Sequence, residues 1–390
     1  MEAGGHGPLA GLKVLEFGQI AAGPFAGSLL ADLGADVVKV ERPDGGDDMR
    51  RWPPIVAGAS GEGYSENFAS VNRNKRSIAV DLKDSVQLAR LKQLCRQIDV
   101  VVENFRAGVL ERLGLGHREL AQSNPRLVYC SINGYGQSGP YAGKGAFDAT
   151  VQAISGIMSV TGETEGPPAK CGVPVGDFGA GLYGAFCILA AVLRARETGR
   201  GAFIDCSMMA GLLGMAALQT SEYFGTGETP QRLGSAHPRA APYQGFQAKD
   251  APFVIAAGNE RLWHEVCDAA GLPELKSDPR FNPQSHRAKN QKQLAAILQP
   301  VFATRGKAEW LAEFDRRGVP CAPINTYPEI LADPQVTHLR LVQDMTLPNG
   351  KRTRTVAFPM KMTGYEFAVY RHPPLLGEHT EEVFAEWLKR

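Results

Sequence analysis

Apolar and polar positions follow two different periods along the first third of the chain. Leu12-Lys13-Val14-Leu15-Glu16-Phe17 is a short, mostly apolar run, and Asp36-Val37-Val38-Lys39-Val40-Glu41 repeats the pattern. Ser77–Leu82, Val100–Asn104 and Arg126–Ile132 are of the same kind. Short β-branched runs of this length predict strands. Between them the apolar spacing lengthens to that of a helix. Gly23-Pro24 opens Phe25–Leu33 and Gly34 closes it, with the proline suited to a first turn and the glycine to a helix end. Ser85–Ile98 places Leu88, Leu91, Leu94 and Cys95 on one face. Strand, helix, strand at this spacing predicts parallel βαβ units, with a sheet covered on both faces.

Phe178–Arg196 is glycine-rich at its start and then strongly apolar, which predicts a buried helix. Phe203–Cys206 reads as a further strand. Gly225–Pro242 is rich in Gly, Pro and Thr and reads as a linker or long loop. From Gly245 to Thr326 a short strand, Phe253–Ala257, is accompanied by amphipathic helices at Arg261–Ala270, Gln291–Val301 and Lys307–Arg317, which predicts a smaller α+β domain. The chain closes with a helix at Thr380–Leu388, and no internal repeat stands out.

A length of 390 residues suits two domains, or one large domain with an insertion. The boundaries expected are 1–200 with 335–390 for a large domain, 201–228 and 326–334 as linkers, and 229–325 for the small domain. Lys and Arg number 42 against 41 Asp and Glu, a net charge of +1. A nucleic-acid partner is therefore not expected, since such binders carry a basic excess. The apolar runs Leu182–Leu193 and Met208–Leu218 fall short of the roughly 18–20 residues of a spanning helix, so no membrane partner is expected. Met1–Gly7 has neither a basic flank nor an apolar core, so no secretory signal is expected there. The seven cysteines are scattered and lack a Cys-x-x-Cys pair. That predicts free thiols and a cytoplasmic location rather than a disulfide framework or thiolate zinc site.

The candidate chemistry narrows by exclusion. Gly18-Gln19-Ile20-Ala21-Ala22-Gly23 after the first strand is not a Gly-x-Gly-x-x-Gly dinucleotide loop. Gly139-Pro140-Tyr141-Ala142-Gly143-Lys144-Gly145 is one residue short of a phosphate loop and has glycine where Ser or Thr should hold magnesium. None of the eight histidines, His237 and His379 included, has a second ligand at metal spacing, so no metal site is expected. Gly136-Gln137-Ser138-Gly139 lacks half of a serine-hydrolase elbow. One carboxylate stands out. Asp177 lies in Val175-Gly176-Asp177-Phe178-Gly179-Ala180-Gly181, just ahead of the long apolar helix. The plain reading is a helix N-cap. The sharper one is a nucleophile whose small neighbours admit an acyl group and whose adjacent free N–H groups hold an oxyanion. Arg42, Arg50, Arg51, Lys75, Arg76, Lys83, Arg106 and Arg112 mostly follow strand ends, where open α/β sheets bind ligands. The plain reading is solvated surface charge; the sharper one is a site for an anion carrying several phosphates.

At these residues the chain resembles the class III coenzyme A-transferase family, which includes formyl-CoA transferase, carnitine CoA-transferase and α-methylacyl-CoA racemase. The segments that carry the resemblance run from Leu9 to about Leu388. They are Leu12–Phe17 with Ala22-Gly23-Pro24, Leu33–Arg42, Asn74–Ile78, Val102–Phe105, Gly134-Tyr135-Gly136, Gly176-Asp177 and Pro374–Thr380. The resemblance implies a nucleophilic Asp177. It implies CoA contacts at Ala21, Ala22, Arg42, Val80, Asp81, Lys83, Asn104, Phe105, Arg106, Arg112, Lys144 and Phe147, with Arg42 and Arg112 facing the nucleotide part. It implies a Rossmann-like large domain built from both ends of the chain, a small domain, and a homodimer whose subunits interlock like linked rings. No cofactor is implied as permanently bound; CoA and acyl-CoA are substrates. Two departures are informative. The racemase branch has histidine where Gly145-Ala146-Phe147-Asp148 has Phe147, and phenylalanine carries no proton. The glycine flap of formyl-CoA transferase has no counterpart in Arg239–Gly245 or Ala256–Asn259. The expectation is therefore a transferase moving CoA from an acyl-CoA, such as succinyl-CoA, to a small carboxylic acid, in particular a dicarboxylic one, through an aspartyl-CoA thioester. Arg50, Arg51 and Arg239 are candidates for a distal carboxylate. A racemase or epimerase, and a CoA-binding regulatory protein without turnover, are the alternatives.

Overall fold

A computed structural model describes residues 7–59 and 61–389. It divides into two compact units. The larger comprises residues up to Ile157, Lys170–Glu228 and Pro334 onward; the smaller comprises Met158–Ala169 and Thr229–Asp333.

The larger unit is centred on six parallel strands: β1 (Lys13–Phe17), β2 (Asp36–Glu41), β3 (Arg76–Ala79), β4 (Val100–Glu103), β5 (Val128–Asn133) and β6 (Ala202–Ser207). Their order is β3-β2-β1-β4-β5-β6. Alternate side chains enter two cores. Val14, Val37, Val100 and Val128 pack on one face against helices α1 (Ala22–Asp32) and α4 (Val175–Thr198). Leu15, Val38, Val101 and Tyr129 pack on the other against α2 (Ser85–Leu94) and a C-terminal helix at Thr380–Trp387. Burial on both faces is why these strands read as apolar runs. Gly34, with φ +96, follows the end of α1 as its sequence suggests.

Three expectations change. Residues 201–228, read as a linker, form β6 and the helices α5 (Met208–Met215) and α6 (Ala217–Thr226) of the larger unit. Residues 158–169 belong to the smaller unit. Helix α4 starts three residues earlier than the apolar run and is 24 residues long, so by length and composition alone it could cross a membrane. Here it lies against α1 and the sheet, burying Ala180, Ile188 and Val192.

The smaller unit has a three-stranded antiparallel sheet, in the order β9-β8-β7, from β7 (Tyr243–Gln247), β8 (Pro252–Ala256) and β9 (Cys321–Pro323). Helices Glu260–Ala270, Gln291–Phe302 and Lys307–Arg316 enclose a separate core of Phe253, Trp263, Phe302, Trp310 and Phe314.

Candidate active site

Strand order fixes where a site can form. From β1 the chain moves outward to β2 and β3, then crosses back to β4 and runs the other way. The loops leaving β1 and β4 therefore diverge, and the crevice between them is where ligands bind in open α/β sheets. A cavity of about 330 Å³ lies there, walled by Gln19–Ala22 after β1, Asn104–Ala107 after β4 and Ile132–Gly136 at the end of β5. Ala142, Lys144, Ala146, Phe147, Met208 and Asp177 complete the wall. A larger cavity of about 510 Å³, by Glu111, His117 and Phe203, contains none of the expected site residues.

The cavity thus gathers Ala21, Ala22, Asn104, Phe105, Arg106, Lys144, Phe147 and Asp177. Arg42, Asp81 and Lys83 do not line it. They follow β2 and β3 on the same carboxyl edge of the sheet, with Arg42 exposed and paired to Asp48 at 2.5 Å. Asp81 accepts the Lys83 N–H at 2.9 Å. The Val80 side chain is buried in the core, so any ligand contact there falls to its backbone. Arg112 is exposed at the end of a short helix after β4. The candidates for a distal carboxylate fare differently. Arg50 is spent on Glu41 through two bonds of 2.6 and 2.7 Å, Arg51 pairs with Asp48, and Arg239 belongs to the smaller unit. Lys75 and Arg76, expected near a ligand, also turn inward, Lys75 to Glu16 at 2.7 Å and Arg76 to Asp36. Arg106 and Lys144 are the cations on the cavity wall, and Lys144 lies 3.9 Å from the Tyr141 ring centre.

The loop after β1 is held from beneath. Ile20 has φ +64, an uncommon conformation for a β-branched residue. Its N–H donates to both Asp47 carboxylate oxygens at 3.1 Å. Asp47 pairs with Lys39 at 2.9 Å, and Lys39 with Glu16 at 3.1 Å. These groups are fully buried, as is Lys75. Burial opposes the Lys39 charge, but Asp47, Glu16 and Glu41 outweigh it and hold the ammonium above its usual range. Burial pushes Lys75 down to about 8, with Glu16 opposing. Asn104 clamps the same loop, accepting the Gln19 N–H and donating to the Gln19 carbonyl, both at 2.8 Å. Its amide is thus committed to the backbone. Glu103, pushed up to about 7 by burial, accepts the Phe105 N–H at 2.8 Å and shapes the next turn.

Asp177 stands in the first turn of α4 rather than at its cap, because the helix begins at Val175. Pro174 supplies no side-chain cap; the Asp148 carboxylate does, accepting from Gly176 N–H at 2.8 Å and Asp177 N–H at 3.4 Å. The N–H groups expected to be free for an oxyanion are therefore occupied. Burial, then the Asp148 charge, pushes the Asp177 carboxyl up to about 6. The small residues expected to admit substrate serve packing. A Cβ on Gly179 would meet Met215 Sδ at 3.0 Å, and one on Gly181 would meet Phe25 at 2.8 Å. Among the described residues no three His, Cys, Asp or Glu side chains cluster to hold a metal ion. Sequence reasoning passed over Asp148 and Asp47. The one clue to Asp148 was its place beside Phe147, in a segment weighed for that residue alone.

The pattern of CoA-transferase family III matches residues 9–380. Succinyl-CoA:glutarate CoA-transferase of Homo sapiens is 38% identical over 382 residues, covering 98% of this chain and 86% of that protein. Succinate–glutarate CoA-transferase of Agrobacterium fabrum is 39% identical over 381 residues, covering 97% and 95%. A CAIB/BAIF family protein from Brucella suis superposes with a TM-score of 0.87 at 38% identity, covering 98% of this chain and 100% of that one. The shared fold and the match across nearly the whole chain agree: this chain belongs to CoA-transferase family III and is a CoA-transferase.

Proposed function

We propose that the enzyme moves CoA from succinyl-CoA to a small dicarboxylic acid and that Asp177 is its nucleophile. The observation that carries this reading is the Asp177 carboxylate in the wall of the crossover cavity, together with seven of the twelve residues expected to touch CoA. The relatives' succinyl and glutarate substrates support the choice of acids.

The steps balance without a proton donor. An Asp177 oxygen bonds to the thioester carbonyl carbon, the C–S bond breaks, and CoA leaves as thiolate from a mixed anhydride. The thiolate attacks the Asp177 carbonyl carbon, and the anhydride C–O bond breaks to release succinate. The acceptor carboxylate then attacks the aspartyl-CoA thioester, expelling the thiolate again. The thiolate takes the acyl group from the new anhydride and restores the Asp177 carboxylate. Covalent capture divides one difficult exchange into easier ones, and neither a metal nor a resident cofactor has a step in it. A carboxylate pushed up to about 6 stays ionised at neutral pH yet is more basic than an exposed one.

In this reading Ala21, Ala22, Asn104, Phe105, Arg106, Lys144 and Phe147 line the pantetheine end, with Asn104 acting through the loop it clamps. Arg42, Asp81, Lys83 and Arg112, with the Val80 backbone, serve the nucleotide end. A racemase is disfavoured by Phe147 in the cavity wall. A homodimer is supported by apolar side chains left exposed along α4 to α6, among them Leu182, Phe186, Leu193, Leu218 and Phe224. A cytoplasmic location is supported by seven free cysteines.

The test is the covalent state of Asp177. After incubation with succinyl-CoA and quenching with hydroxylamine, mass spectrometry of the Asp177 peptide is expected to show a hydroxamate. Asp177→Ala is expected to lose turnover by several orders of magnitude while calorimetry still registers CoA binding. Turnover by that variant at the wild-type rate would exclude the mechanism.

A further inference from the structure

We propose that Asp148, through the hydrogen bonds that cap α4 and through its own charge, is a positioning residue that sets both the place and the nucleophilic strength of the Asp177 carboxylate. The inference rests on the reading of Asp177 as nucleophile. Asp148 opens helix α3 (Asp148–Ile154). Its Oδ1 accepts the Gly176 and Asp177 N–H groups. A Cβ on residue 176 would lie 3.0 Å from that oxygen, so glycine there is what permits the approach. Its Oδ2 accepts from Gln152 Nε2 at 2.6 Å, one turn along α3. Gln152 is wholly buried, and its Oε1 accepts the Cys171 N–H at 2.8 Å. One chain of bonds thus ties α3 to the segment entering α4 and to the first turn that carries Asp177.

The electrostatic consequence follows. A helix N-terminus normally favours an anion through its unsatisfied N–H groups. Here Asp148 already occupies two of them, so Asp177 meets a like charge where it would otherwise meet donors. The other ionisable side chains lining the cavity are Arg106, Lys144 and Tyr135. Helix α5 has no ionisable side chain, and α1 has only Asp32 at its far end, paired to Arg73. The carboxylate's elevated basicity, caused first by burial and then by Asp148, agrees with this arrangement. A more basic anion attacks a carbonyl faster.

The readout is hydroxamate formation on the Asp177 peptide, followed against pH in single-turnover reactions with succinyl-CoA. The wild-type midpoint is expected near 6. In Asp148→Asn the side-chain oxygen still caps Gly176 but the charge is gone. The midpoint should fall by about half to one unit. The plateau rate should drop up to about threefold, taking a Brønsted slope of about 0.4–0.5 as for thiolate attack. Because the new amide faces the Gln152 amide, this variant should also lose some thermal stability. Asp148→Asn with Gln152→Glu restores the donor–acceptor order and moves the charge one side chain away. Its Tm should recover while its midpoint stays below that of the wild type. An unchanged midpoint in Asp148→Asn, or a midpoint that returns to the wild-type value together with Tm in the double variant, overturns the proposal and leaves Asp148 a structural cap. Failure of both variants to fold has the same meaning. Absence of any wild-type hydroxamate overturns the nucleophile itself, and a normal hydroxamate indifferent to Asp148 overturns the present proposal alone.

Discussion

At neutral pH the Asp177 carboxylate is ionised in a place that disfavours its charge. Its carboxyl is raised from 3.8 to about 6. A raised acid binds its proton more tightly in the folded chain than in the unfolded one, so this group costs stability as pH climbs between the two values and exacts the full cost above the upper one. Two units correspond to about 3 kcal/mol. Asp177→Asn, close in size and uncharged, should therefore be about 2 kcal/mol more stable than the wild type at pH 7.5. The advantage should vanish near pH 4, while transfer is lost throughout. Urea unfolding at the two pH values measures it, and equal stability at pH 7.5 would contradict the strained charge. Transfer by the wild type should fall off below about pH 6, where the carboxylate takes up its proton. The nucleophilic reading of Asp177 came from the family resemblance; as a candidate, Asp177 was legible in the sequence because glycines flank it ahead of an apolar helix. Its electrostatic partner was not. Asp148 lies 29 positions earlier, and nothing local marks an aspartate that caps another helix.

Helix α4 shows how an element's packing and its chemistry share the same residues. Gly181 faces α1 so closely that a Cβ would stand 2.8 Å from the Phe25 ring and 3.0 Å from the Ala22 carbonyl oxygen. Backbone cannot yield there as a flexible side chain would. Gly181→Val is expected to cost about 1–3 kcal/mol. It should also push out the start of α1, which forms the Ala21–Ala22 wall, and so raise KM for the acyl-CoA. Thermal denaturation and steady-state kinetics would read the two effects. A variant with wild-type Tm and KM would refute the close packing. The strands were legible for a related reason: a sheet buried on both faces needs continuous apolar runs, as in Val100–Glu103. The charged positions within them carried no such sign. Glu16, Lys39 and Lys75 look like ordinary strand or turn polar residues, and only folding pairs Lys39 with Asp47 and Lys75 with Glu16. Residues 208–226 hid for the opposite reason, since the glycines within Met208–Met215 weaken the helical pattern although the stretch makes α5 and α6.

At the scale of the molecule, the larger unit leaves many large apolar side chains uncovered. Phe186 and Phe224 are 71% and 81% exposed, and Leu182, Leu193 and Leu218 each exceed half exposure. Single exposed apolar residues are ordinary, but so many along three successive helices, α4 to α6, are not. A lone chain carrying this surface at +1 net charge has little repulsion to keep it from associating. A second copy is the partner the family resemblance supplies, and burying two phenylalanines would contribute roughly 3–6 kcal/mol per copy before association entropy is subtracted. Sedimentation should accordingly give twice the 42.0 kDa of one chain. Phe186→Asp with Phe224→Asp should shift that equilibrium toward the single chain or abolish soluble protein, because each buried carboxylate would lack a partner. The far-ultraviolet circular dichroism of any soluble fraction separates lost association from lost folding. A wild-type chain that sediments at 42.0 kDa across micromolar concentrations would leave these helices facing water and remove the homodimer.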